Sequence, residues 1–159
     1  MKIKNVSPNN RRKAFEVSTY RQGYLFPYAK LEVPPSRENP IAQVYVDKEL
    51  ASEAFTYALE SGDEGTVHID HILEYNRDPQ YMRDLLLYKL TLAAQDRVKD
   101  SSLSKRELIR RLATSPAQFY RLLDQTNYKK SIDQLMALLH ILDCEVDLVI
   151  KEKRLQKAV

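Results

Sequence analysis

The sequence predicts an α+β protein, in which a small N-terminal antiparallel β-sheet is followed by a C-terminal helical domain that ends in a β-strand. Residues 1–77 alternate apolar and polar side chains between turn-forming residues, which is typical of strands. From residue 78 onward the apolar side chains recur at helical spacing instead. We therefore predict two domains, an antiparallel β domain at 1–77 that would bind a partner or effector, and a helical domain at 78–159.

Short segments between Gly, Pro and Ser residues carry the strand pattern of the first domain. The predicted strands are 13–20, 24–26, 41–46, 53–59 and 66–70. Five turn-forming residues, 61–65, join the last two as a hairpin. Three prolines make 31–40 a connecting loop. No segment here is long enough for a helix that would cover a parallel sheet, so we expect one small antiparallel sheet.

The second domain contains several sequence signals for the start of a helix. Asp78 is a cap followed by a proline in the first turn, and the apolar spacing then continues to about Asp100. Residues 104–107 form a capping box, in which the Ser104 hydroxyl and the Glu107 carboxylate would each bind a backbone N–H of the other residue. Ser115 then caps a second short helix.

The helices that start after Ser104 and Ser115 each have one apolar face. Both faces can be buried together only if the helices cross steeply around a short turn, as in a helix-turn-helix. The residues that define this pattern are Leu108, Ile109, Leu112, Ala113, Phe119 and Leu122. They resemble the Cro/repressor-type (XRE-like) helix-turn-helix family, which usually has alanine where Ile109 stands and glycine where Ala113 stands.

This resemblance covers residues 78–150, including a loop and a further capped helix at 127–135. Residues 131–149 are similar, more narrowly, to the tail of helix-turn-helix antitoxins from toxin–antitoxin operons. Residues 1–77 resemble no family. The resemblance implies a sequence-specific transcriptional regulator of double-stranded DNA, which as an antitoxin would regulate its own operon and bind a toxin or other protein. Because no membrane span and no apolar signal segment follows the first residues, we expect a cytoplasmic protein.

In a helix-turn-helix, the second helix enters the major groove of DNA. Its predicted outward residues are Ser115, Pro116, Ala117, Gln118, Tyr120 and Arg121. Gln118 suits adenine, Arg121 suits guanine or a phosphate, and Ala117 suits a thymine methyl group. The residues expected to hold the flanking phosphates are Arg106, Arg110, Arg111, Lys129 and Lys130. Residues 105–130 hold seven basic and two acidic side chains, a local excess that a polyanion would sense.

The alternation at 145–150 predicts the terminal strand, which needs a partner. That partner is either the sheet of the same chain or the same strand of a second chain. Since helix-turn-helix proteins usually bind two half-sites as symmetric dimers, we expect a homodimer.

Several function classes are disfavoured by composition. Three glycines leave no dinucleotide or P-loop motif, one cysteine excludes an internal disulfide, and no uncharged run is long enough for a membrane span. We therefore expect no cofactor, no membrane partner and no enzyme activity. Two alternatives stay open: a protein-interaction module without DNA binding and, less favoured, a metal-dependent hydrolase using His68, Asp70 and His71.

Overall fold

The computed structural model describes residues 1–152. Within that range the fold is α+β, with two three-stranded antiparallel sheets and five α-helices. The chain divides into two compact units, Met1–Arg83 (unit 1) and Asp84–Val159 (unit 2). The last seven residues of the predicted domain 78–159 lie outside the described residues.

All six strands belong to unit 1. The first sheet has the order β1 (Ile3–Asn9), β2 (Ala14–Thr19) and β3 (Gly23–Pro27), and a single 3₁₀ turn, Tyr28–Lys30, follows it. The second sheet has the order β4 (Ile41–Asp47), β5 (Ala54–Leu59) and β6 (Glu64–His68). The five predicted strands are thus confirmed at β2 to β6, with shifted ends.

The prediction of one sheet is wrong, because two sheets share one aromatic core. Phe15 of β2 and Phe55 of β5 are both fully buried, with ring centroids 4.8 Å apart in an edge-on arrangement. Tyr57 joins them, and its hydroxyl donates to the Val33 carbonyl at 3.0 Å. Aromatic side chains of this size fill the space between two sheet faces better than they would cover a single exposed face.

Strand β1 was not predicted, since its sequence has few apolar residues. Its Val6 and Ile3 are buried, while the residues between them are exposed. Val6 lies opposite Val17 in the antiparallel ladder with β2. Pairing with an existing strand therefore stabilises a segment whose own side chains carry a weak signal.

Two helices follow the strands. The strand predicted at 66–70 ends at His68, and the chain continues as the short helix α1 (Ile69–Tyr75), which was not predicted. The Nδ1 of His68 accepts from the Asp70 N–H at 3.3 Å. The long α2 (Pro79–Asp100) begins as predicted, with Asp78 Oδ1 accepting from the Tyr81 N–H at 3.1 Å. These backbone N–H bonds lower the pKa of Asp78, and the Tyr24 hydroxyl also donates to its carboxylate at 2.9 Å.

Unit 2 continues with three helices, α3 (Lys105–Arg111), α4 (Pro116–Leu122) and α5 (Ile132–Ile141). Their inner side chains form one apolar core with the later part of α2. Its fully or almost fully buried members are Leu87, Ala94, Leu108, Phe119, Leu122, Leu135, Leu138 and Leu139. Among the described residues, no helix has both the length and the apolar character that crossing a bilayer requires.

The described chain has no strand at 145–150, so the predicted pairing of this segment with the sheet of the same chain is wrong. Residues 144–152 form neither helix nor strand, and the six strands of the described range pair only among themselves. A β-strand is stabilised by backbone hydrogen bonds to a neighbouring strand. An alternation of apolar and polar side chains therefore does not stabilise an extended segment that has no such neighbour.

Candidate nucleic-acid interface

The turn between α3 and α4 is short and carries its own caps. The Ser104 Oγ accepts from the Glu107 N–H at 3.1 Å, and the Ser115 Oγ accepts from the Gln118 N–H at 3.2 Å. Between them, Ala113 has a φ of 51°. This left-handed conformation favours glycine, because a Cβ crowds the backbone there. The Cβ of Ala113 is therefore in a strained conformation that a glycine would avoid.

One edge of α4 is open to solvent. The exposed residues at this edge are Ser115, Pro116, Ala117, Gln118, Tyr120 and Arg121. The opposite edge is anchored in the core by the fully buried Phe119 and by Leu122. Tyr120 is 55% exposed, and its ring lies beside the ammonium of Lys105 on α3, with Nζ 5.7 Å from the ring centroid. All six predicted outward residues are therefore accessible to solvent.

The arginines of α3 differ in their partners. The Glu107 carboxylate accepts from the Nε of Arg110 and from the Nε of Arg111, each at 3.0 Å. These two guanidinium groups lower the pKa of Glu107 to about 2, so the carboxylate stays charged at neutral and mildly acidic pH. The predicted reciprocal capping box is thus only half formed, because the carboxylate binds arginines instead of the Ser104 backbone. Arg106 is exposed.

Side chains from elsewhere in unit 2 bind the carboxyl end of α4. The Nζ of Lys130 donates to the carbonyls of Leu122 at 2.9 Å and Asp124 at 2.7 Å. Gln95 of α2 donates to the Leu123 carbonyl at 2.6 Å, and Asn127 donates to that of Arg121 at 3.2 Å. The last carbonyls of a helix have no partner within the helix, so these donors satisfy them and hold α4 in place.

Sequence reasoning missed this positioning set. Gln95 lies nearly thirty residues before the carbonyl it binds, and no local spacing signals such a contact. Lys130 was predicted as a phosphate ligand, yet two of its three N–H donors are already used within the chain. Burial also lowers the pKa of its ammonium group, against the opposing effect of the Asp124 carboxylate. Lys129, by contrast, is exposed.

We expect Lys130→Met to lower the free energy of unfolding by about 1.5–3 kcal/mol, the range for hydrogen bonds that involve a charged group. The reason is that carbonyls at the end of α4 lose their donor. Lys129→Met is the matched control and should change stability by less than about 0.5 kcal/mol. Urea unfolding followed by far-UV circular dichroism measures both. Equal effects of the two substitutions would contradict the capping role of Lys130.

A polar groove of about 720 Å³ lies beside the exposed edge of α4. Its lining includes Gln118, Arg121, Lys129 and Gln134. Its acidic member, Asp124, accepts hydrogen bonds from the backbone N–H and the hydroxyl of Thr126, and these bonds lower its pKa. The groove thus combines hydrogen-bonding and cationic side chains.

The histidine cluster of unit 1 has a different arrangement. His68 is the N-cap of α1, and its nearest carboxylate oxygens belong to Asp70 at 3.5 Å and Glu53 at 3.9 Å. His71 lies on α1 itself rather than on a strand. Within residues 1–152, no group of three or more His, Cys, Asp or Glu side chains is arranged to hold a metal ion. The geometry therefore gives the hydrolase alternative no support.

Comparison of the chain with models of protein families, with curated proteins and with solved structures finds no match. The geometry of the residues in unit 2 consequently carries the functional inference.

Proposed function

We propose that this protein is a sequence-specific DNA-binding transcriptional regulator, in which α3 and α4 act as a helix-turn-helix and α4 is the recognition helix. The observation that carries the proposal is the exposed edge of α4, where Gln118 and Arg121 face solvent beside a polar groove. The resemblance of residues 78–150 to Cro/repressor-type proteins supports the same function.

The size of α4 suits the major groove. An α-helix with its side chains is about 10–12 Å in diameter, and the major groove of B-DNA is about 12 Å wide. α4 has seven residues. A short helix of this kind can present only a few side chains to base edges. Gln118 and Arg121 are one helical turn apart, so both reach the same side. Ala117 is small enough to contact a thymine methyl group.

Cationic side chains around α4 would bind the flanking phosphates. Arg106, Arg121 and Lys129 have no hydrogen bond or ion pair between their side chains and any residue in the described range. Arg110 and Arg111 share one carboxylate between two guanidinium groups, so the trio with Glu107 keeps a net positive charge. Lys130 would act mainly by holding α4. We therefore assign the phosphate contacts first to Arg106 and Lys129.

The test is a titration of Arg121→Ala against duplexes selected from a random pool by the wild-type protein. We expect affinity for the selected duplex to fall by about 1–3 kcal/mol, which is about 5- to 150-fold. Affinity for a scrambled duplex should change much less, because base contacts supply specificity and phosphate contacts do not. Gel-shift titrations at one fixed salt concentration measure both.

Arg37→Ala is the matched control, since it removes the same charge from an exposed loop of unit 1. Its affinity for the selected duplex should equal that of the wild type. The proposal fails if the pool yields no enriched duplex, or if Arg121→Ala and Arg37→Ala bind alike. In that case, copurification with a stoichiometric protein partner would favour an interaction module.

A further inference from the structure

Near the end of the described residues, three consecutive apolar side chains are exposed to solvent and are not part of the buried core of unit 2. Leu148, Val149 and Ile150 are 76%, 74% and 87% exposed. Three consecutive large apolar side chains in water are unfavourable, and an exposed apolar segment of this kind marks a surface that another chain covers. The segment begins a few residues after the end of α5, whose inner side chains are buried in unit 2.

An extended conformation would sort the side chains of this segment into two faces. Val146, Leu148 and Ile150 would share one face, because alternate residues of a strand point the same way. Glu145, Asp147 and Lys151 would fall on the other face together with Val149. One face is thus wholly apolar, while the other carries charges of both signs.

We propose that residues 145–151 pair with the same residues of a second copy as an antiparallel two-stranded ribbon, with Leu148 opposite Leu148 at the two-fold axis. This register places Val146 opposite Ile150, so the apolar face is continuous across both copies. It also places Glu145 opposite Lys151 twice, once on each side of the axis. Opposite charges in directly facing positions stabilise a strand pair, and like charges destabilise it.

Neighbouring registers lack this complementarity. Shifting one strand by a residue in one direction sets Glu145 against Glu152 and Val146 against Lys151. The opposite shift sets Glu145 against Ile150. The register centred on Val149 also pairs opposite charges, Asp147 with Lys151, but it sets Val146 against Glu152. The continuous apolar face therefore selects the register centred on Leu148. The proposal does not depend on DNA binding, and its tests use no DNA.

Disulfide trapping tests the register directly. In a full chain carrying Cys144→Ser, the substitution Leu148→Cys should give a covalent dimer on mild oxidation with oxidised glutathione, seen on a non-reducing gel. Facing residues of an antiparallel pair have Cα atoms about 4.5–5.5 Å apart, which suits a disulfide. Glu145→Cys is the control, because in this register its two copies lie about 20 Å apart, six residues along the strand.

Failure of Leu148→Cys to cross-link, or equal cross-linking of Glu145→Cys, would overturn the proposed register. A charge exchange provides a second test without cysteines. Glu145→Lys and Lys151→Glu should each weaken dimerisation several-fold in sedimentation equilibrium, and the double variant should restore it. A wild-type chain that stays monomeric at every concentration would overturn the proposal, and would favour pairing within one chain.

Discussion

Phe119→Ala should lower the free energy of unfolding of unit 2 by about 3–5 kcal/mol, the range for removing a buried phenylalanine. Phe119 is fully buried, and it lies in the core formed by α2, α3, α4 and α5. Truncation would leave a cavity at the point where α4 is anchored. Urea unfolding followed by far-UV circular dichroism measures the loss, because most helical residues belong to unit 2.

Tyr120→Ala is the control for this substitution, since it removes an aromatic ring from the next position of the same helix. Tyr120 is exposed and contacts the ammonium of Lys105, so its removal should cost less than about 1 kcal/mol. Under the proposed function, Phe119→Ala should also abolish DNA binding at urea concentrations that unfold unit 2 of the variant. A stable Phe119→Ala variant would show that α4 is held by other contacts.

We expect Phe15→Ala to lower the free energy of unfolding of unit 1 by about 3–5 kcal/mol. Phe15 is fully buried, with its ring centroid 5.1 Å from that of Tyr28, 4.8 Å from Phe55 and 5.6 Å from Tyr57. Edge-on aromatic pairs contribute beyond their buried area. The substitution therefore removes the ring that joins the two sheets. Urea unfolding followed by near-UV circular dichroism of the tyrosines reports it.

Tyr20→Ala is the matched aromatic control for unit 1. Tyr20 follows β2 directly and is 80% exposed, with the Lys4 ammonium 6.0 Å from the centroid of its ring. Its removal should change stability by less than about 1 kcal/mol. If Tyr20→Ala and Phe15→Ala destabilise the protein equally, the aromatic cluster does not hold the two sheets together.

The two proposals have a joint consequence for the DNA site. A two-fold ribbon at residues 145–151 would supply two copies of α4 to one duplex. Symmetric helix-turn-helix dimers bind half-sites about 34 Å apart, one turn of B-DNA. Duplexes selected by the protein should then be inverted repeats. A single half-site without symmetry would leave the helix-turn-helix proposal intact and would argue against a dimer on DNA.

Elements whose signals are local were predictable from the sequence. Ser104, Ser115 and Asp78 cap the helices that follow them, because a cap binds an N–H only two or three residues away. The exposed edge of α4 follows from the same helical period that buries Phe119. The predicted outward residues of α4 were therefore obtained without any knowledge of tertiary contacts.

Contacts between distant parts of the chain could not be predicted from the sequence. The division of the strands into two sheets depends on rings that meet across forty residues, as Phe15 and Phe55 do. The role of Lys130 depends on carbonyls that only the folded turn brings to its ammonium group. The absence of a strand at 145–150 in the described chain depends on where other strands run.

The sequence by itself determined the caps, the helical and strand periods and the outward residues of α4, since each arises from neighbours within about one turn of the backbone. Only the tertiary structure decided how many sheets form and which cation caps α4. Both outcomes depend on contacts between residues that are distant in sequence, and the periodicity of apolar residues carries no information about such contacts.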